Sequence, residues 1–241
     1  MENLERARNK LIVALDVPTV EEAENLIGRL GDDVSVYKIG LELVMAGGLE
    51  LARRLIREGK QVFLDMKFLD IGHTVERAVA NAAELGVTYL TIHGHDRKTL
   101  DAAVVGRGSS GMKLLAVTVL TNLTAADLEI QGNRLSPADL VLHRAQLARA
   151  CGVDGIVASG QEADMVRREV GSDFLIVTPG IRLPGSALDD QQRVMTPDSA
   201  VAAGADLIVV GRPITRADDP ADAARAFVAH IAAALERRSA T

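Results

Sequence analysis

The sequence has no tryptophan, two tyrosines and four phenylalanines, and aromatic residues make up only 2% of its 241 positions. Any core it builds must therefore be aliphatic and rich in alanine. A single cysteine, Cys151, excludes an internal disulfide, and its place at the end of a helical pattern reads as a buried, inert thiol. No stretch approaches 18 uncharged apolar residues and none resembles a signal peptide, so a membrane partner is not expected and the expected location is the cytoplasm. The formal charge of −6 argues against a nucleic-acid binder, whose affinity comes from clustered cations. It leaves room for one small anionic ligand held by a few local cations.

What is present is an eightfold alternation of short aliphatic runs with longer helical ones. The runs are Leu11 to Asp16, Val34 to Ile39, the start of the stretch Phe63 to Thr74 with its Val62-Phe63-Leu64 lead-in, Thr88 to His93, Leu114 to Leu120, Gly155 to Ala158, Phe174 to Thr178 and Asp206 to Val210. Thr19 reads as an N-cap followed by acidic first turns, and Ser136-Pro137 as an N-cap with proline at the first helical position. Leu41 to Glu58 reads as one helix closed by Gly59, and Val75 to Leu85 as another stopped at Gly86. Short, β-branched strands apolar on both faces suit a parallel sheet covered by helices. Eight such units fit a single (β/α)8 TIM barrel spanning residues 1–241, a fold of about 250 residues. A doubly wound sheet is the alternative, weakened because Asp16-Val17-Pro18 stands where a glycine-rich dinucleotide turn belongs.

In such a barrel the active site lies at the C-terminal strand ends. Those ends carry Asp16, Lys38, Asp65 with Lys67, His93, Thr121, Ser159, the run Thr178-Pro179-Gly180-Ile181-Arg182, and Gly211-Arg212. The centre of the pattern is Phe63-Leu64-Asp65-Met66-Lys67-Phe68-Leu69-Asp70-Ile71. Strand alternation turns Asp65 and Lys67 to the same face, and Asp70 falls past the strand end. His93-Gly94-His95 has a metal-ligand spacing, but a metal site needs three or four ligands and no other histidine is near in sequence. A hydrogen-bonded His93 and a solvent-facing His95 are expected instead, with no metal. Tyr37, opposite in direction to Lys38, is expected in the core under the helices.

These motifs resemble orotidine 5'-monophosphate decarboxylases of the bacterial type. The resemblance rests on Asp65-x-Lys67-x-x-Asp70-Ile71, Lys38 before Ile39-Gly40, Thr178 to Arg182, Asp189-Asp190-Gln191 and Gly211-Arg212, in family order from about Leu11 to about Pro220. It implies a cofactor-free lyase that makes UMP in the last step of pyrimidine nucleotide synthesis. It implies further that Asp16 and Lys38 contact the ribose, that Lys38, Asp65, Lys67 and Asp70 form a charge array, and that Lys67 donates the proton. Asp70, Ile71 and Thr74 would come from the second subunit of a homodimer. Thr121 would lie beside the pyrimidine, and Arg182, Gln191, Gly211 and Arg212 would hold the phosphate. Gly72-His73 and Leu69 depart from the family's usual Pro-Asn and His.

The chemistry asks for these residue types. Loss of CO2 from C6 of orotidylate leaves an electron pair in an sp2 orbital with nothing to delocalise it. A preorganised ammonium stabilises that charge and then supplies the proton. Lys67 does both while charged, a state that flanking carboxylates favour. The long polar stretch Gly180 to Met195 reads as a lid. Two alternatives remain: a metal-dependent sugar-phosphate barrel sharing Asp-x-Lys-x-x-Asp, which needs an acidic ligand where Lys38 stands, and a non-catalytic phosphate-ligand binder.

Overall fold

The computed structural model describes residues 2–184 and 195–239. Eight strands, β1 Leu11–Ala14, β2 Val36–Gly40, β3 Gln61–Phe68, β4 Tyr89–His93, β5 Lys113–Val117, β6 Gly155–Val157, β7 Leu175–Thr178 and β8 Leu207–Val210, follow one another round a closed barrel. Every pairing is parallel, and β1 closes the ring against β8 with Ile12 opposite Val209. The TIM barrel expected from the pattern is the observed fold.

Period-two alternation sorts the side chains into two apolar groups. Ile12, Ala14, Val36, Phe63, Leu115, Val177, Leu207 and Val209 fill the barrel interior. Their strand neighbours, Leu11, Val13, Tyr37, Val62, Leu64, Leu114 and Ile208 among them, face out and pack under the helices. Tyr37 is fully buried in that outer layer as expected, and its hydroxyl has no hydrogen-bond partner among the described residues. Burial pushes this phenol well above its ordinary pKa.

Helix starts follow the capping signals. Thr19 accepts from the Glu22 amide at 3.2 Å, and Ser136 accepts from Asp139 at 3.1 Å ahead of Pro137. The expected helix from Leu41 to Glu58 is instead two, Leu41–Met45 and Gly48–Arg57. Between them Gly47 takes φ 98°, a left-handed value that ends one helix and re-aims the chain into the next. The helix expected from Val75 begins at Gly72 and runs to Leu85. Helices Glu2–Arg8 and Arg97–Arg107 stand outside the expectations, although Asp96 caps the second through the Thr99 amide at 2.9 Å. The fifth strand stops at Val117, three residues short of the expected Leu120.

At the N-terminal end of the barrel, two aspartates tie neighbouring strands. Asp206 accepts from the Ile176 amide at 2.9 Å and pairs with Arg167. Asp154 accepts from the Leu114 amide at 3.0 Å and pairs with Arg107 and Lys113. Charge at this end serves the fold, which leaves the opposite end for chemistry.

Candidate active site

The C-terminal strand ends surround a cavity of about 440 Å³. Its floor is apolar, made by Ala14, Phe63, Val117, Val157 and Val209. Above the floor stand Asp16, Lys38, Asp65 and Lys67, with Thr121 on the loop after β5 and Arg182, Gly211, Arg212 and Arg216 on the segments after β7 and β8. Three arginines and two lysines against two carboxylates make this the cation-rich concavity of a chain whose net charge is −6. An anion with a partly apolar body fits such a lining.

The charged side chains form a continuous line of alternating sign. Asp16 Oδ1 lies 2.8 Å from Lys38 Nζ, Lys38 Nζ 3.4 Å from Asp65 Oδ2, and Asp65 Oδ1 2.8 Å from Lys67 Nζ. Lys38 is only 8% exposed, and burial by itself pulls its pKa down. Asp16 and Asp65 outweigh burial and hold the ammonium above its ordinary value. For Asp65 burial pushes upward, but Lys38, Lys67 and the Thr91 hydroxyl together hold the carboxyl below its ordinary value. The array is therefore fully charged at neutral pH in its buried members. Gly40, the residue opposite Asp65 in the β2–β3 ladder, leaves room for it, since a Cβ there would sit 3.1 Å from Lys38 Nζ.

Simple alternation does not explain how Lys67 joins Asp65. Lys67 has φ 51°, and the β3–β4 register shifts between Leu64 and Phe68. Thr91 of β4 spans the irregularity, accepting from the Lys67 amide at 2.9 Å and donating to Asp65 Oδ1 at 2.8 Å. Thr91, Gly40 and Arg216 are contributors that the sequence reading missed. A threonine two residues before the fourth strand's end, on its inward face, is the signal that points to the first of them.

Eight of the expected site residues come together in this cavity: Asp16, Lys38, Asp65, Lys67, Thr121, Arg182, Gly211 and Arg212. Asp70, Ile71 and Thr74 do not line it. They are exposed, and the Asp70 carboxylate accepts from the Ile71 amide at 2.6 Å. Gln191 and most of the expected lid lie outside the described residues. The ends of that stretch are joined, with the Arg182 amide donating to Met195 O at 2.9 Å. Ser159 caps the helix Gly160–Val170 and takes no part in the lining.

His93 differs from expectation: its Nδ1 is buried with no hydrogen-bond partner among the described residues, and its ring packs edge-on against His95 at 4.7 Å. Burial, with His95, Lys67 and Arg144 nearby, lowers its pKa to about 4, so it is neutral at pH 7. His95 is exposed as expected. Among the described residues no three His, Cys, Asp or Glu side chains are grouped to hold a metal. Nor is any described helix long and apolar enough to cross a membrane.

Residues 9–227 match the family model described as Orotidine 5'-phosphate decarboxylase / HUMPS family. The chain is 54% identical over 227 residues to the orotidine 5'-phosphate decarboxylase of Afipia carboxidovorans, covering 94% of this chain and 96% of that one. It is 54% identical over 224 residues to the enzyme of the same name from Methylorubrum extorquens, covering 93% and 96%. The crystal structure of orotidine 5'-phosphate decarboxylase from Lactobacillus acidophilus superposes with a TM-score of 0.82 at 36% identity, over 92% of this chain and 98% of that one. The chain belongs to the orotidine 5'-phosphate decarboxylase / HUMPS family.

Proposed function

We propose that this protein decarboxylates orotidine 5'-monophosphate to UMP and CO2, without a cofactor, as the last step of pyrimidine nucleotide synthesis. The observation that carries this reading is the unbroken line Asp16–Lys38–Asp65–Lys67 over an apolar floor. The names of its relatives agree with it. The pyrimidine lies over the floor with Thr121 beside it, Asp16 and Lys38 meet the ribose, and Arg182 and Gly211-Arg212 receive the phosphate.

In the chemical step the C6–carboxylate bond breaks and its electron pair stays on C6. The Lys67 ammonium, fixed 2.8 Å from Asp65, stabilises that pair electrostatically and transfers a proton to C6 to give UMP. Asp65 beside the substrate carboxylate adds a repulsion that disappears as CO2 leaves. The binding energy of the phosphate, remote from C6, supports this demanding reaction. A metal-dependent sugar-phosphate reaction is disfavoured because the Lys38 ammonium stands between Asp16 and Asp65 and repels a divalent ion.

The active unit in this reading is a cytoplasmic homodimer of single-domain barrels. Asp70, Ile71 and Thr74 point to solvent in the single chain and complete the partner's site. The segments after the neighbouring strands β2 and β3 carry Leu41, Met45, Leu69 and Ile71, which are 54%, 87%, 51% and 75% exposed. Four large apolar side chains in water beside an active-site mouth suit burial between subunits.

Loss of orotidylate absorbance in excess EDTA tests the reading. Turnover is expected to persist, and Lys67→Ala is expected to lower kcat by about 10⁴-fold or more while UMP still binds. Unchanged turnover in Lys67→Ala would remove Lys67 as proton donor. Inactive Lys67→Ala and Asp70→Ala chains are expected to recover activity when mixed. No recovery after confirmed subunit exchange would refute a shared site.

A further inference from the structure

We propose that Thr91 is a positioning residue for this decarboxylation: its single hydroxyl fixes the Lys67 backbone and the Asp65 carboxylate together and so aims the Lys67 ammonium. The inference rests on the reading of Lys67 as proton donor. Lys67 is the only non-glycine among the described residues with positive φ, at 51°. A side chain disfavours that conformation, so something outside the residue must hold it. The β3–β4 ladder does not do so, because its register breaks between Leu64 and Phe68 and no strand partner is paired with Lys67.

Thr91 Oγ1 takes that place. It accepts from the Lys67 amide at 2.9 Å and donates to Asp65 Oδ1 at 2.8 Å, the same oxygen that Lys67 Nζ meets at 2.8 Å. The direction of both bonds is forced, since an amide N–H only donates and an ionised carboxylate only accepts. Thr91 is fully buried, so bulk water does not compete for either bond. Its strand neighbours Leu90 and Ile92 face the outer layer, which leaves Thr91 pointing inward. It does not line the cavity and touches no reacting atom; it acts through Asp65 and Lys67. Threonine is common in strands for its shape alone, and that reading leaves the coincidence of both hydrogen bonds at the one strained lysine without a cause.

The test replaces Thr91 by valine, which keeps the shape and removes the hydroxyl, and by serine, which keeps the hydroxyl. Thr91→Val is expected to lower kcat about 10²-fold, the scale of an ångström-sized misplacement, while KM and UMP affinity stay within about threefold. Thr91→Ser is expected to stay near the parent. If the valine chain does not fold, Thr91→Ala, which adds no bulk, carries the same measurement. Parent-like kcat in the chain lacking the hydroxyl would overturn the proposal. So would an equal loss in the serine chain, or a fall in UMP affinity matching the fall in kcat. An active Lys67→Ala chain would instead refute the underlying reading of Lys67, whatever the Thr91 variants do.

Discussion

Replacing Lys38 by methionine removes the central cation of the array at nearly constant volume. Lys38 is 8% exposed and bridges Asp16 at 2.8 Å and Asp65 at 3.4 Å. Removing one partner of a buried ion pair costs about 3–5 kcal/mol, because the other charge is stranded. Here two features lower that figure: the Asp16 side chain is 57% exposed and regains water, and Asp65 keeps Lys67 and Thr91. The expected loss is therefore about 2–3 kcal/mol at pH 7, below the full range. Urea unfolding measures it.

The pH dependence follows from the direction of the shifts. Asp65 titrates below its ordinary value of 3.8 when folded, so its contribution is present above 3.8 and is lost as pH falls through the folded value. Lys38 titrates above its ordinary 10.5, so its contribution is present below 10.5 and is lost as pH rises through the folded value. The gap between parent and Lys38→Met is then widest from about pH 4 to about pH 10 and narrows on either side. In the proposed reading the same substitution also removes a ribose contact, besides the partner that sets Asp65, and kcat/KM is expected to fall about 10²–10³-fold. A variant within about 0.5 kcal/mol and threefold of the parent at pH 7 would refute the reasoning, as would a stability gap that does not change with pH.

Gly40→Ala places a Cβ 3.1 Å from Lys38 Nζ and 3.3 Å from Asp16 Oδ1. It is expected to lower kcat/KM about tenfold with little change in the unfolding midpoint, and an unchanged kcat/KM would show that the pair tolerates the crowding. Asp206→Asn at the opposite end removes the charge opposite Arg167 and weakens the tie to the Ile176 amide. Its expected signature is reversed, a loss of about 1–3 kcal/mol in urea unfolding with kcat unchanged, and a fall in kcat would contradict the separation of the two barrel ends.

The eightfold pattern made the barrel legible because strand and helix periods are local properties of the chain. The strand-end rule then put Asp16, Lys38, Asp65, Lys67, Thr121, Arg182, Gly211 and Arg212 at one mouth, where the structure has them. What failed was also local in its assumptions. The sequence reads as one helix from Leu41 to Glu58 closed by Gly59, but Gly47 adopts φ 98° and breaks it. The helix Arg97–Arg107 was missed although Asp96 signals its start.

Residue types and their order along the chain were thus enough to determine a parallel barrel and most of the side chains at its open end, though not Arg216, and they put Ser159 there where the lining has none. Their distances were not. Alternation put Asp65 and Lys67 on one face, but their contact depends on a left-handed lysine and a register shift that a hydroxyl from the next strand bridges. Lys38 follows the same logic: its position is in the sequence, while its charged state is held by two carboxylates, Asp16 on the segment after β1 and Asp65 on β3. Backbone propensity acts over a few neighbouring residues, whereas charge, burial and hydrogen bonding act through space, and only the folded chain brings residues 16, 38, 65, 67 and 91 within their reach.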